Sequence, residues 1–103
     1  MHAIVRQNTY DVAKLAHANA ALEEFRAVHA SQPGYLGSIE IDAGGGTSLV
    51  VNLWESKEAA SAALPKMVPV VERLLEPLMT APSKLLGTGN VAWTDLIHTG
   101  KAQ

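Results

Sequence analysis

Residues 33–63, PGYLGSIEIDAGGGTSLVVNLWESKEAASAA, decide the fold, because they spell a hairpin that runs into a helix. Tyr35, Ile39 and Ile41 fall at alternate positions, the period of a strand over 35–43. Gly44, Gly45 and Gly46 follow as a turn signal, since glycine accepts positive φ at no steric cost. A second strand is expected over 47–55, where Val and Leu are dense. Ser56 can then cap a helix whose first turn carries Glu58, an acid well placed for the helix dipole.

Working outward, residues 2–8 read as a short strand around Ile4 and Val5. Thr9 or Asp11 can cap a long helix reaching about residue 32, where Pro33 and Gly34 stop it. Leu15, Ala18, Leu22, Phe25 and His29 recur on one face of that helix, while Glu23, Glu24 and Arg26 face water. Pro65 is expected to interrupt the later helix, with a further helical segment over 66–76 carrying Pro69 in its first turn. Met67, Val71, Leu74, Leu75 and Leu78 make the buried face of that segment, which Pro77 and Pro82 end. Residues 85–97 read as a last strand, bent at Gly87 or Gly89.

The order is therefore β-α-β-β-α-β, an α+β chain of one domain over residues 1–103. Such an order closes as a ferredoxin-like four-stranded antiparallel sheet with both helices on one face. The other face would carry Leu36, Leu49, Val51 and Leu53, and an apolar second face implies a partner.

Composition excludes several functions. The eight Lys and Arg are scattered and the net charge is −2, so nucleic acid is not an expected partner. The chain has no cysteine, which removes disulfides, thiol nucleophiles and cysteine metal sites, and fits a cytoplasmic protein. Neither a signal peptide nor a membrane-crossing run is expected. Residues 87–92, GTGNVA, match a dinucleotide fingerprint, but a strand-like run follows where that motif needs a helix. His17 and His29, twelve residues apart, lie roughly 120° apart around a helix and cannot share a metal. His2 and His98 could meet if the outer strands pair, yet two histidines alone make a weak metal set, and no metal is expected.

Asn52 and Trp54 leave the same face of one strand. If Asp42 pairs with Thr47, Gly37 lies opposite Asn52 and Tyr35 opposite Trp54. Gly37 then leaves room beside an amide flanked by aromatic rings, with His29 closing the recess from the helix, as small-molecule sites are built. The competing reading makes Asn52 a backbone partner and Trp54 core filling.

With these residues in hand, the chain resembles the antibiotic biosynthesis monooxygenase family of dimeric α/β barrels. The likeness rests on residues 33–37, PGYLG, on the strand 49–54, LVVNLW, and on the Trp54-Glu55-Ser56 run followed by Glu58-Ala59. The resemblance implies a homodimer through the sheet face and a small aromatic ligand, a polycyclic phenol in the quinone-forming members, oxygenated without metal, flavin or other cofactor. It implies catalytic roles for Trp54 and for an Asn. The family's Asn stands four residues before that Trp, where this chain has Val50; Asn52 keeps the face at a different depth. An Arg of the later helix is matched by Arg73. A haem-degrading branch uses a Trp and a His in the second helical region, and residues 56–79 contain neither. The expectation is a cofactor-independent monooxygenase for an aromatic or polyketide-like molecule, with Asn52 and Trp54 catalytic and Tyr35, Gly37, His29 and Arg73 binding substrate. The rival is a non-catalytic ligand-binding or interaction dimer of the same fold.

Overall fold

A computed structural model describes residues 1–96. Strand β1, His2–Thr9, leads into a short helix α1, Val12–Leu15, and then α2, Asn19–Ala30. The hairpin is β2, Tyr35–Gly44, and β3, Thr47–Trp54; α3, Lys57–Leu74, a 3₁₀ turn, Glu76–Leu78, and β4, Lys84–Asn90, complete the order. All neighbouring strands are antiparallel in the order β2-β3-β1-β4, which is the ferredoxin-like sheet. Expected His98 lies outside the described residues, as does the end of the strand expected over 85–97.

The first helix is not continuous. Of the two caps read from the sequence, Thr9 and Asp11, it is Asp11 that caps α1, accepting from the Lys14 amide at 3.1 Å. The chain then tightens: His17 N–H bonds Lys14 O and Ala18 N–H bonds Leu15 O, each three residues back. No glycine or proline marks this break. Tertiary anchors account for it, because α1 is tied to the 3₁₀ turn by Lys14 Nζ on Pro77 O and by Asp11 N–H on Leu78 O. The α2 segment instead packs on α3 and β2.

Pro65 does not interrupt the second helix, which runs unbroken through Pro65 and Pro69. Each proline removes an N–H and frees the carbonyl four residues earlier. Ser61, Pro65 and Pro69 are all exposed, so those carbonyls face water. The opposite side, with Ala60, Ala63, Met67 and Leu74, stays buried against the sheet and α2. Ser56 caps this helix by accepting from the Ala59 amide at 3.0 Å.

The final strand stops at Asn90, paired with His2, short of the expected end near residue 97; one further bond follows, from Val91 N–H to Met1 O at 2.9 Å. Its register slips between Val5 and Arg6, so a bulge, at a residue before Gly87, supplies the expected irregularity. On the sheet face away from the helices, register places Val51 between Val5 and Ile39, and Leu49 beside Ile41. Ile39 and Ile41 are exposed, whereas Leu53 is only 7% exposed within the single chain. Leu36 is the extra residue at a bulge between Tyr35 and Gly37, and is itself partly exposed.

Candidate functional site

Alternation along the strands sends His2, Ile4, Arg6 and Asn8 of β1, and Val50, Asn52 and Trp54 of β3, towards the helices. Between this floor and the two helices lies a cavity of ≈ 280 Å³, close to the lower end of the roughly 300–1,000 Å³ usual for small-molecule sites. Its roof is apolar: Leu22 and Phe25 of α2, and Ala63, Met67 and Val71 of α3. Leu64 and Val68 line it too and are exposed, which puts solvent access on the α3 side. The floor supplies the polar groups, Arg6, Asn8 and Asn52.

Tyr35 pairs with Trp54 as expected, but Gly37 does not lie opposite Asn52. The extra residue at the β2 bulge advances the register by one, so Gly37 pairs with Leu53 and Ser38 with Asn52. A glycine therefore makes no room beside the amide, and Gly37 is absent from the cavity wall. In its place stands a hydroxyl: Ser38 Oγ donates to Asn52 Oδ1 at 2.6 Å and accepts from Tyr35 Oη at 2.8 Å. With its oxygen engaged, the Asn52 amide keeps its NH₂ group for a ligand.

His29 of α2 lies in an aromatic cluster, 5.5 Å from the Phe25 ring, 4.8 Å from Tyr35 and 5.5 Å from Trp54, measured between centroids. It is 9% exposed, and burial pushes its imidazole below the ordinary value, so the ring is neutral at pH 7. Tyr35 meets Trp54 edge-on at 5.6 Å. Trp54 is 3% exposed, and its Nε1 is closed to solvent without an acceptor. Tyr35, His29, Asn52 and Trp54 are thus brought together, although Tyr35 acts behind the wall rather than on it.

Arg73 is not part of this group. It sits on the outer side of α3, where its Nη2 meets Glu24 Oε2 of α2 at 2.6 Å. That position follows from helix phase: Arg73 directly precedes the buried pair Leu74 and Leu75. The cavity holds other charges instead. Arg26 of α2 pairs with Glu40 of β2 at 3.0 Å on its rim, and Arg6 stands on its floor. Tyr10 also lines the cavity, its phenol pushed up chiefly by burial and further by Glu40, which keeps it protonated. Arg6, Ser38 and Tyr10 were not identified from the sequence. Arg6 was legible in the alternation His2-Ile4-Arg6-Asn8; Ser38 was not, because a bulge carries no signal in a single sequence.

Among the described residues no group of three or more His, Asp or Glu is placed to hold a metal, and no helix is long and apolar enough to cross a membrane.

No protein-family profile and no curated protein matches the sequence. Solved structures do match. A point mutant of SnoaB, a cofactor-independent oxygenase from Streptomyces nogalater, superposes with a TM-score of 0.70 at 20% identity, over 93% of this chain and 97% of that one. A candidate antibiotic biosynthesis monooxygenase from Caulobacter crescentus gives 0.72 at 18% identity, over 89% and 90%. A Nitrosomonas europaea protein of unknown function gives 0.75 at 12% identity, over 94% of each chain. Likeness at such low identity speaks to architecture. The chain has the fold of the antibiotic biosynthesis monooxygenases.

Proposed function

We propose that the cavity is the active site of a cofactor-independent monooxygenase that uses O₂ on an aromatic or polyketide-like molecule. The observation that carries this reading is the Asn52 amide, turned by Ser38 so that its NH₂ group is free on the floor of a cavity whose roof is apolar. A neutral His29, which lines the same cavity, can accept the proton of an acidic phenol. The anion left behind gains a hydrogen bond from Asn52, which is worth most where water is excluded. That anion, its charge shared with the ring carbon opposite the ionised oxygen, passes one electron to O₂. The resulting pair combines at this carbon, which carries one hydrogen, and the peroxide takes back the proton held by His29. Loss of water turns the peroxide carbon into a carbonyl, so one oxygen atom enters the product and the other leaves as water. Trp54 walls the cavity in this reading, and its indole N–H, lacking an acceptor, serves as a second donor once the ring turns towards a ligand. The apolar outer face of the sheet supports a homodimer built by packing two sheets together.

A second reading, a ligand-binding dimer without chemistry, is favoured by one observation. The Trp54 N–H is closed to solvent, as a purely structural indole would be. Oxygen uptake separates the two. With a hydroxyanthrone under ¹⁸O₂, the oxygenase reading expects enzyme-dependent uptake and one labelled oxygen in the product carbonyl. Uptake no faster than the uncatalysed reaction, together with tight ligand binding, would leave the second reading.

A further inference from the structure

The cavity is lined by two arginines, Arg6 and Arg26, and two glutamates, Glu40 and Glu76, but only one ion pair forms among them. Arg26 and Glu40 neutralise each other at 3.0 Å, and the other ion pair, Arg73 with Glu24, lies outside the cavity. Glu76 reaches the wall from the exposed 3₁₀ turn, without an ion-pair partner among the described residues. Arg6 remains. It is half-buried on the floor, in neither ion pair, and no side-chain hydrogen bond holds its guanidinium among the described residues. Its neighbours explain why. Arg6 lies between Val50 on β3 and Leu85 on β4, with Ile4 and Asn8 on the same face of its own strand. Glu40 shares its row, two strand spacings or about 10 Å away, with Val50 between them and Arg26 already engaged.

A guanidinium stays charged at every accessible pH, and withdrawing it from water without a counter-charge is unfavourable. Leaving one unpaired on the floor of a cavity with an apolar roof is sensible when a ligand brings the anion. Its planar fork matches a carboxylate in two parallel hydrogen bonds. We infer that Arg6 anchors an acidic group of the ligand, so that the cavity takes an aromatic acid rather than a neutral aromatic. Asn52 lies on the next strand, one pair removed from Val50, the partner of Arg6. Such diagonal positions are about 7–8 Å apart, which suits a fused-ring body with its acid at one end and its reactive hydroxyl at the other. This inference rests on the cavity being the ligand site; it does not require oxygenation.

The test is calorimetric titration, without oxygen turnover as a readout, of 2-naphthoate and 2-naphthamide against the parent, Arg6→Gln, Arg6→Lys and Arg73→Gln. The parent is expected to bind the acid at least tenfold more tightly than the amide. Arg6→Gln should abolish that difference while leaving the affinity for the amide unchanged, which also shows that the variant is folded. Arg6→Lys should keep part of the preference, and Arg73→Gln all of it. Equal affinity of the parent for the two compounds, no binding of naphthoate by the parent, or a preference that survives in Arg6→Gln would overturn the inference. A protein that binds naphthoate through Arg6 yet consumes no oxygen would defeat the oxygenase reading alone.

Discussion

Ser38 Oγ donates to Asn52 Oδ1 at 2.6 Å, and this bond determines which end of the Asn52 amide a ligand meets. Asn52→Ala removes the donor itself and is expected to lower turnover by about 10²–10³-fold. Ser38→Ala keeps the amide but frees it to rotate. A hydrogen bond of about 1 kcal/mol corresponds to a five- to tenfold loss, expected in kcat with KM nearly unchanged. Steady-state oxygen uptake on both variants checks this, and equal rates for Ser38→Ala and the parent would remove the orienting role.

His29 gives a pH dependence of defined sign. Burial holds its folded-state value below the ordinary one near 6.5. As pH falls through about 6.5 the unfolded chain takes up a proton that the folded chain refuses, so stability drops from there down to the folded-state value. Above about 6.5 this stabilisation is fully present. Denaturant unfolding at pH 8 and pH 5 should show a larger loss for the parent than for His29→Gln. The same neutrality means that oxygenation which uses His29 as base should persist below pH 6.5.

Gly34 brings the end of the α2 loop onto α3. A methyl group there would meet Ala59 Cβ, and the residue holds φ +83, a region glycine favours. Gly34→Ala is expected to destabilise by about 2–4 kcal/mol, combining overpacking with backbone strain. Gly45→Ala is the control: φ is +62, but nothing lies within 4 Å, so about 1 kcal/mol is expected. Midpoints of urea unfolding measure both.

Val51 sits at the middle of the outer sheet face, between Val5 and Ile39. Val51→Lys should shift the proposed dimer to monomer, because each pairing would bury two unpartnered ammonium groups. Light scattering on the parent and variant reads this directly. A parent that is monomeric at high concentration would remove the sheet-to-sheet dimer.

The sequence by itself determined the order of elements, the Ser56 cap, the glycine turn and the side of β3 from which Asn52 and Trp54 project, and it narrowed the first cap to Thr9 or Asp11. These are local matters of periodicity, turn chemistry and orphan amides, and a few neighbouring residues suffice to decide them. Tyr35 does face Trp54, but not through the expected pairing of Asp42 with Thr47: Asp42 pairs with Ser48 and Gly44 with Thr47, and the bulge between Tyr35 and Gly37 brings Tyr35 back opposite Trp54. Tertiary structure decided the rest. The register that exchanges Gly37 for Ser38 opposite Asn52 is set between two irregularities of β2, one between Tyr35 and Gly37 and one between Asp42 and Gly44. The continuity of α3 through Pro65 and Pro69 depends on which side of the helix meets water. Whether an arginine serves the cavity depends on what it faces: Arg73 has Glu24 across the helix pair, whereas Arg6 has valine and leucine on either side. Local pattern assigns a side chain to a face; only packing decides which groups across that face are left to satisfy its charge.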